Sequence, residues 1–274
     1  MFVIQSYQEQ GKPMVEIAAD ELVSTVARQL ADAYAGAPIA PVADRIADVA
    51  QAYRVQLVQI EDRIAGGRRI VGRKIGLTSP AVQRQLGVGE PDFGHLTDEM
   101  VHGDNAELAH ADLRQPRVEA EVALILGADL DMPNPTVADV IAATAYVAPA
   151  LEVVASRIAD WKIGILDTIA DNASAGAVVL GGPARRLDGL DLTGCGMAMR
   201  INDAVVSEGR GADCLGNPLN AAAWLAARSQ ALGRPLRAGE LILTGALGPM
   251  RPVAPGDAVH AEIAGLGTVS VTFR

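Results

Sequence analysis

Apolar residues recur at helical spacing from Ile17 to Ala65 and then give way to short β-type runs, and this switch sets the expected architecture. Leu22, Val26 and Leu30 form one helical stripe; Val49, Tyr53, Leu57, Ile60 and Ile64 form a second. A break at residues 37–41 separates two helices, and Gly66-Gly67 supplies the left-handed position that ends the second. Beyond Arg69 the spacing predicts strands at residues 70–77, 119–126, 148–154, 177–180, 197–201, 241–244, 259–263 and 268–273. Asn202-Asp203 and Gly265-Leu266-Gly267 read as hairpin turns. Ser79-Pro80 reads as a helix start, Thr136 with Asp139 as a capping box, and residues 217–232 as a helix stopped by Gly233. The expectation is an α+β chain, with a helical N-terminal part over residues 1–68 packed on a β-rich catalytic part over residues 69–274 as one compact unit.

The sharpest break in this patterning is Arg117-Val118-Glu119-Ala120-Glu121, where two carboxylates at i and i+2 open an otherwise apolar strand. Both project from one face, roughly 7 Å apart at the Cα atoms. The apolar residues that follow occupy both faces, so the strand reads as buried, and buried like charges need neutralising. A divalent cation would do so, carboxylates being the hard oxygen ligands that Mg²⁺ or Mn²⁺ prefers. Glu152, also set in an apolar run, is the candidate third ligand. A solvated strand face whose glutamates pair with Arg117 and Arg157 accounts for the pattern equally well.

Composition narrows the partners. A formal net charge of -10, with aromatic residues at 3%, argues against nucleic acid. There is no apolar run of membrane-spanning length and no signal-peptide pattern at the N-terminus, so a cytoplasmic location is expected. Cys195 and Cys214 read as reduced core thiols, and the four histidines lack metal-ligand spacing. No P-loop or dinucleotide fingerprint is present.

Taken in order, Gly72-Arg73-Lys74-Ile75-Gly76-Leu77-Thr78, Pro91-Asp92-Phe93-Gly94, Arg117 to Glu121, Pro149 to Glu152, Ser156-Arg157, Asp171 to Ser174 and Thr244 to Met250 resemble segments of the 2-oxopent-4-enoate hydratases, in the fumarylacetoacetate hydrolase superfamily. The resemblance runs from about residue 40 to the C-terminus. It implies a mixed β-sheet roll or barrel, with Glu119, Glu121 and Glu152 as metal ligands and Lys74 and Asp92 as catalytic residues. It also puts Asp171, Ser174, Thr244 and Gly245 at the substrate. Gly72 and Gly76 are expected to let the substrate approach the backbone of Lys74's strand. Asn217 stands where many relatives are expected to carry histidine.

The implied reaction is hydration of 2-hydroxypenta-2,4-dienoate to 4-hydroxy-2-oxopentanoate, in the breakdown of aromatic compounds after ring cleavage. The implied route is a metal-chelated dienolate followed by conjugate addition of water at C4. A homo-oligomer, ring-like and pentameric or decameric, is implied as well. The rivals are a 2-oxo-3-hexenedioate decarboxylase, a C–C bond hydrolase of the same superfamily and a non-catalytic partner subunit of such an enzyme.

Overall fold

The computed structural model describes residues 14–79, 83 and 89–274. The two expected helices are α1 (Met14–Ala33) and α2 (Val49–Ala65). Asp48 caps α2 by accepting from the Gln51 amide, and Gly67 takes the left-handed conformation just beyond it. The helix start expected at Ser79-Pro80 lies largely outside the described residues.

The strands that follow are β1 (Ile70–Gly76), β2 (Asp92–Thr97), β3 (Val101–Gly103), β4 (Ala106–Leu108), β5 (Arg117–Leu126), β6 (Thr144–Val154) and β7 (Ala175–Leu180). Then come β8 (Gly196–Ile201), β9 (Ala204–Arg210), β10 (Leu241–Ala246), β11 (Arg251–Pro252), β12 (Ala258–Ile263) and β13 (Gly267–Phe273). Three shorter helices are interleaved: α3 (Val137–Ala143), α4 (Ile165–Ala170) and α5 (Pro218–Ala231). The Thr136–Asp139 capping box opens α3, and Asn202 and Asp203 both take positive φ in the β8–β9 hairpin.

One mixed sheet runs β2-β1-β10-β5-β6-β7-β3, with β11 beside β5. Its outer strands, β2 and β3, are separated in the chain only by a single 3-10 turn at Asp98–Met100, so the sheet must curl until its edges meet. The second sheet, β4-β13-β12-β8-β9, lays β13 across β6 and β7. Among the described residues, no helix is long and apolar enough to cross a membrane.

β5 shows how the curled sheet uses its faces. Val118, Ala120, Val122 and Leu124 join the large core shared with the helices and the second sheet. The opposite side carries Glu119, Glu121 and Ala123, and there Ala123 packs with Leu96, Ala150, Val178, Leu241 and Leu243 in a smaller apolar cluster. The strand is therefore buried on both sides, as its composition requires.

α1 is tied down by charge rather than by apolar contact alone. Tyr34, just past its end, lies beneath the Arg157 guanidinium at 4.1 Å from the ring centroid, with the Arg63 guanidinium at 4.3 Å. Arg157 is fully buried, and its Nε donates to Oδ1 of Asp171 at 2.5 Å while its main-chain amide donates to Oδ2 at 3.0 Å. Its remaining nitrogens donate to the carbonyls of Asp171 and Ala175. Asp171→Ala would strand a buried guanidinium, so a loss of about 3–5 kcal/mol in urea unfolding is expected. A loss under about 1 kcal/mol, the scale of an exposed pair, would show that this ion pair does not hold the core.

Candidate metal centre

The antiparallel register of β5 and β6 sets Glu119 directly opposite Glu152 and Glu121 opposite Ala150. The i, i+2 pair on one strand thus meets the third carboxylate across the ladder, and one oxygen from each of the three lies within 4.8 Å of the others. Glu121 and Glu152 are buried, whereas Glu119 is half-buried and forms the open side of the cluster. Lys74 reaches in from β1, itself buried, with Nζ 2.9 Å from Oε1 of Glu152. Asp92 begins β2 opposite Gly76 and is likewise buried.

Charge is badly out of balance here: four carboxyl groups face a single ammonium. Burial, then the Glu152 charge, pushes the Glu119 carboxyl from the ordinary 4.5 up to about 8, with Lys74 pulling the other way. Glu121 is driven well above its usual range by burial and by both neighbouring glutamates. Burial would push Lys74 down, but the Glu152, Asp92 and Glu119 carboxylates outweigh it and hold the ammonium charged. For Asp92, burial raises the carboxyl while Lys74 and a hydrogen bond from Thr168 lower it. Oε1 of Glu121 and Oε2 of Glu152 accept no hydrogen bond, an arrangement that buried oxygens do not ordinarily tolerate. An all-oxygen donor set with excess negative charge and unsatisfied lone pairs fits a hard divalent cation.

The backbone completes the cradle. Oε2 of Glu121 accepts from the Gly245 amide at 2.7 Å, where β10 is bulged between Leu243 and Ala246. Gly245 sits at φ 112°, and a side chain there would begin 2.3 Å from Oγ1 of Thr78, so only glycine fits. Thr244 steadies the bulge by donating to the Val122 carbonyl and accepting the Cys214 thiol at its own carbonyl.

The expected site residues therefore divide. Lys74, Asp92, Glu119, Glu121, Glu152 and Gly245 converge, with Gly245 gripping a carboxylate. Asp171 has both oxygens engaged by Arg157, and Ser174 faces it at 3.5 Å. Ser174 closes a run of three left-handed residues, Asn172, Ala173 and Ser174. That turn covers the outer edge of β2, Asn172 exchanging two hydrogen bonds with the main chain of His95. Space beside Gly72 and Gly76 is taken by protein atoms rather than left for substrate. A side chain at residue 72 would meet the Leu241 carbonyl, and one at residue 76 would begin 2.2 Å from Oδ1 of Asp92. Asn217, the departure noted in the sequence, caps α5 by accepting from the Leu219 amide.

His95 is buried, with Nδ1 3.0 Å from the Gln56 amide oxygen, and burial and then the Arg73 charge lower it to about 3. It stays neutral at ordinary pH. Both cysteines are free and buried. The site residue that sequence reasoning missed is Thr168, whose hydroxyl donates to Oδ2 of Asp92 at 2.9 Å.

With this geometry in place, residues 78–274 match the family described as fumarylacetoacetate (FAA) hydrolase C-terminal. The chain is 55% identical over 240 residues to 2-keto-4-pentenoate hydratase 2 of Dechloromonas aromatica (strain RCB), covering 87% of this chain and 92% of that protein. It is 44% identical over 258 residues to the 2-hydroxyhexa-2,4-dienoate hydratase of Comamonas testosteroni, covering 92% and 98%. Among solved structures it is similar to 4-oxalocrotonate decarboxylase from Pseudomonas putida G7 complexed with magnesium and adipate. That match has a TM-score of 0.89 and 37% identity, covering 93% of this chain and 98% of the other.

Protons and cation compete for the cluster. Without metal, the Glu119 carboxyl holds a proton up to about pH 8 and must release it on binding, so Mg²⁺ affinity is expected to climb between about pH 6 and 8. The folded metal-free protein keeps this proton where an unfolded chain has lost it, so its thermal midpoint should fall between about pH 4.5 and 8. Calorimetric titration showing affinity flat with pH would contradict this. Gly76→Ala should drive Asp92 from its place and lower turnover at least about tenfold with the fold intact. Unchanged turnover, measured beside circular dichroism, would show that the carboxylate tolerates the shift.

Proposed function

Because the chain belongs to the fumarylacetoacetate hydrolase family, we propose that it is a 2-keto-4-pentenoate hydratase, adding water to 2-hydroxypenta-2,4-dienoate to give 4-hydroxy-2-oxopentanoate in the meta-cleavage breakdown of aromatic compounds. The observation that carries the reading is the 55% identity to a hydratase of that name, against 37% to the decarboxylase. The cofactor is a divalent cation, magnesium or manganese, held by Glu119, Glu121 and Glu152. The chemistry it supplies when bound is Lewis acidity, together with a grip on the carboxylate and 2-oxygen of the substrate.

The remaining steps belong to the chain's own side chains. Lys74, kept charged by its carboxylate neighbours, faces the 2-oxygen or carboxylate and stabilises negative charge as it develops there. Asp92 relays one proton, taking it from the 2-hydroxyl and delivering it to C5, and so returns to its starting state. The resulting 2-oxo-3-enoate is electrophilic at C4, where the oxygen of water adds while a proton goes to C3. Both residues are shut away from bulk water, which strengthens each charge effect. A homo-oligomeric ring and a cytoplasmic location complete the proposal; the ring rests on family likeness, and the absence of a spanning helix among the described residues is compatible with the location.

With Mg²⁺ and fresh dienol, the purified protein should consume the dienol absorbance and form 4-hydroxy-2-oxopentanoate, and Glu121→Gln should lose metal binding and turnover together. Lys74→Ala should retain metal and lose about 10²–10⁴-fold in kcat. Release of CO₂ from 2-oxo-3-hexenedioate with no hydration of the dienol would instead favour the decarboxylase.

A further inference from the structure

Asp92 has two carboxylate oxygens in unlike surroundings. Oδ2 accepts from the Thr168 hydroxyl at 2.9 Å, while Oδ1 lies over Gly76, 2.2 Å from where a side chain there would begin. Nζ of Lys74 is 3.7 Å from that same point.

The placement of Thr168 is over-determined. It lies on α4, only six residues long, too short to hold its own shape. Buried side chains grip the helix on either side of it. Oδ1 of Asp167 accepts from the amides of Val42 and Ala43, and its Oδ2 accepts from the Gly164 amide. From α2, Gln56 donates to the Ile169 carbonyl and Gln59 to the Ala170 carbonyl. Thr168, itself buried, is thereby held against β2 from both directions. A hydroxyl fixed this way makes a directional bond to a carboxylate at little further entropic cost.

We propose that Thr168 is a positioning residue for proton transfer: by holding Oδ2 of Asp92 it presents Oδ1, over Gly76, as the oxygen that carries the proton. The proposal rests on the reading of Asp92 as the proton relay. Without the Thr168 donor the carboxylate is free to rotate, and either oxygen, or neither, meets the substrate.

The test compares Thr168→Val, which keeps the shape and removes the donor, with Thr168→Ser, which keeps the donor, and uses Thr168→Ala as a second donor-free variant should valine impair folding. Two rates are read in D₂O with the Mg²⁺-loaded enzyme and the dienol: deuterium entering at C5, by NMR, and formation of 4-hydroxy-2-oxopentanoate. Thr168→Val should slow C5 labelling and kcat together by about 10- to 100-fold, with KM and Mg²⁺ affinity within about twofold, and Thr168→Ser should recover most of the loss. Donor-free variants that label C5 at the wild-type rate would overturn the proposal, as would equal impairment in valine and serine, which marks a packing effect. Labelling without hydration by the wild-type enzyme would sink the hydratase reading alone, Thr168 then being judged on labelling. No enzyme-dependent labelling would sink both.

Discussion

Everything around the centre answers to one electrostatic constraint: two buried glutamates, a third that is half-buried and a buried aspartate are gathered with a single lysine among them. Such a gathering is tolerable only if protons or a multivalent cation balance it. Extended strands in fixed register are well suited to impose it, because pairing across the ladder sets where each carboxylate stands before any cation arrives. A helical or loop-borne site could relax away from the repulsion; a central strand hydrogen-bonded on both sides cannot.

The face that carries the charges is not uniform. Alongside Glu119 and Glu121 the β5 alternation continues to Ala123, and alongside Glu152 to Ala150, both packed with Leu96, Val178, Leu241 and Leu243. The interior of the curled sheet is thus polar at one end and apolar at the other. Small side chains next to the acids leave room, while the leucines beyond them close the floor. The low dielectric of that floor strengthens whatever charge interactions the upper end makes.

Much of this was legible in the residues. Helices and most strands announced themselves by periodicity, and Glu119, Glu121 and Glu152 stood out because charge in an apolar run demands an explanation. β2 did not, since Asp-Phe-Gly-His reads as a loop when its burial comes from both sides and supplies no alternation. β4, β9 and β11 are too short or too exposed to carry a pattern. Thr168 was invisible for a deeper reason: its placement depends on Asp167 beside it and on Gln56 and Gln59 reaching from α2, more than a hundred residues earlier in the chain. Asp171 is the counter-charge of the buried Arg157, a pairing that local sequence does not reveal.

The Gly245 amide that holds Glu121 has an evolutionary corollary. A contact made by main chain cannot be deleted by changing a side chain; only proline lacks the donor, and a φ of 112° excludes proline as it does nearly everything but glycine. Changes of side chain elsewhere around the cluster therefore leave this hold on Glu121 in place. Diversification of chemistry on this scaffold is freest where side chains do the recognising, and most restrained at this one peptide bond.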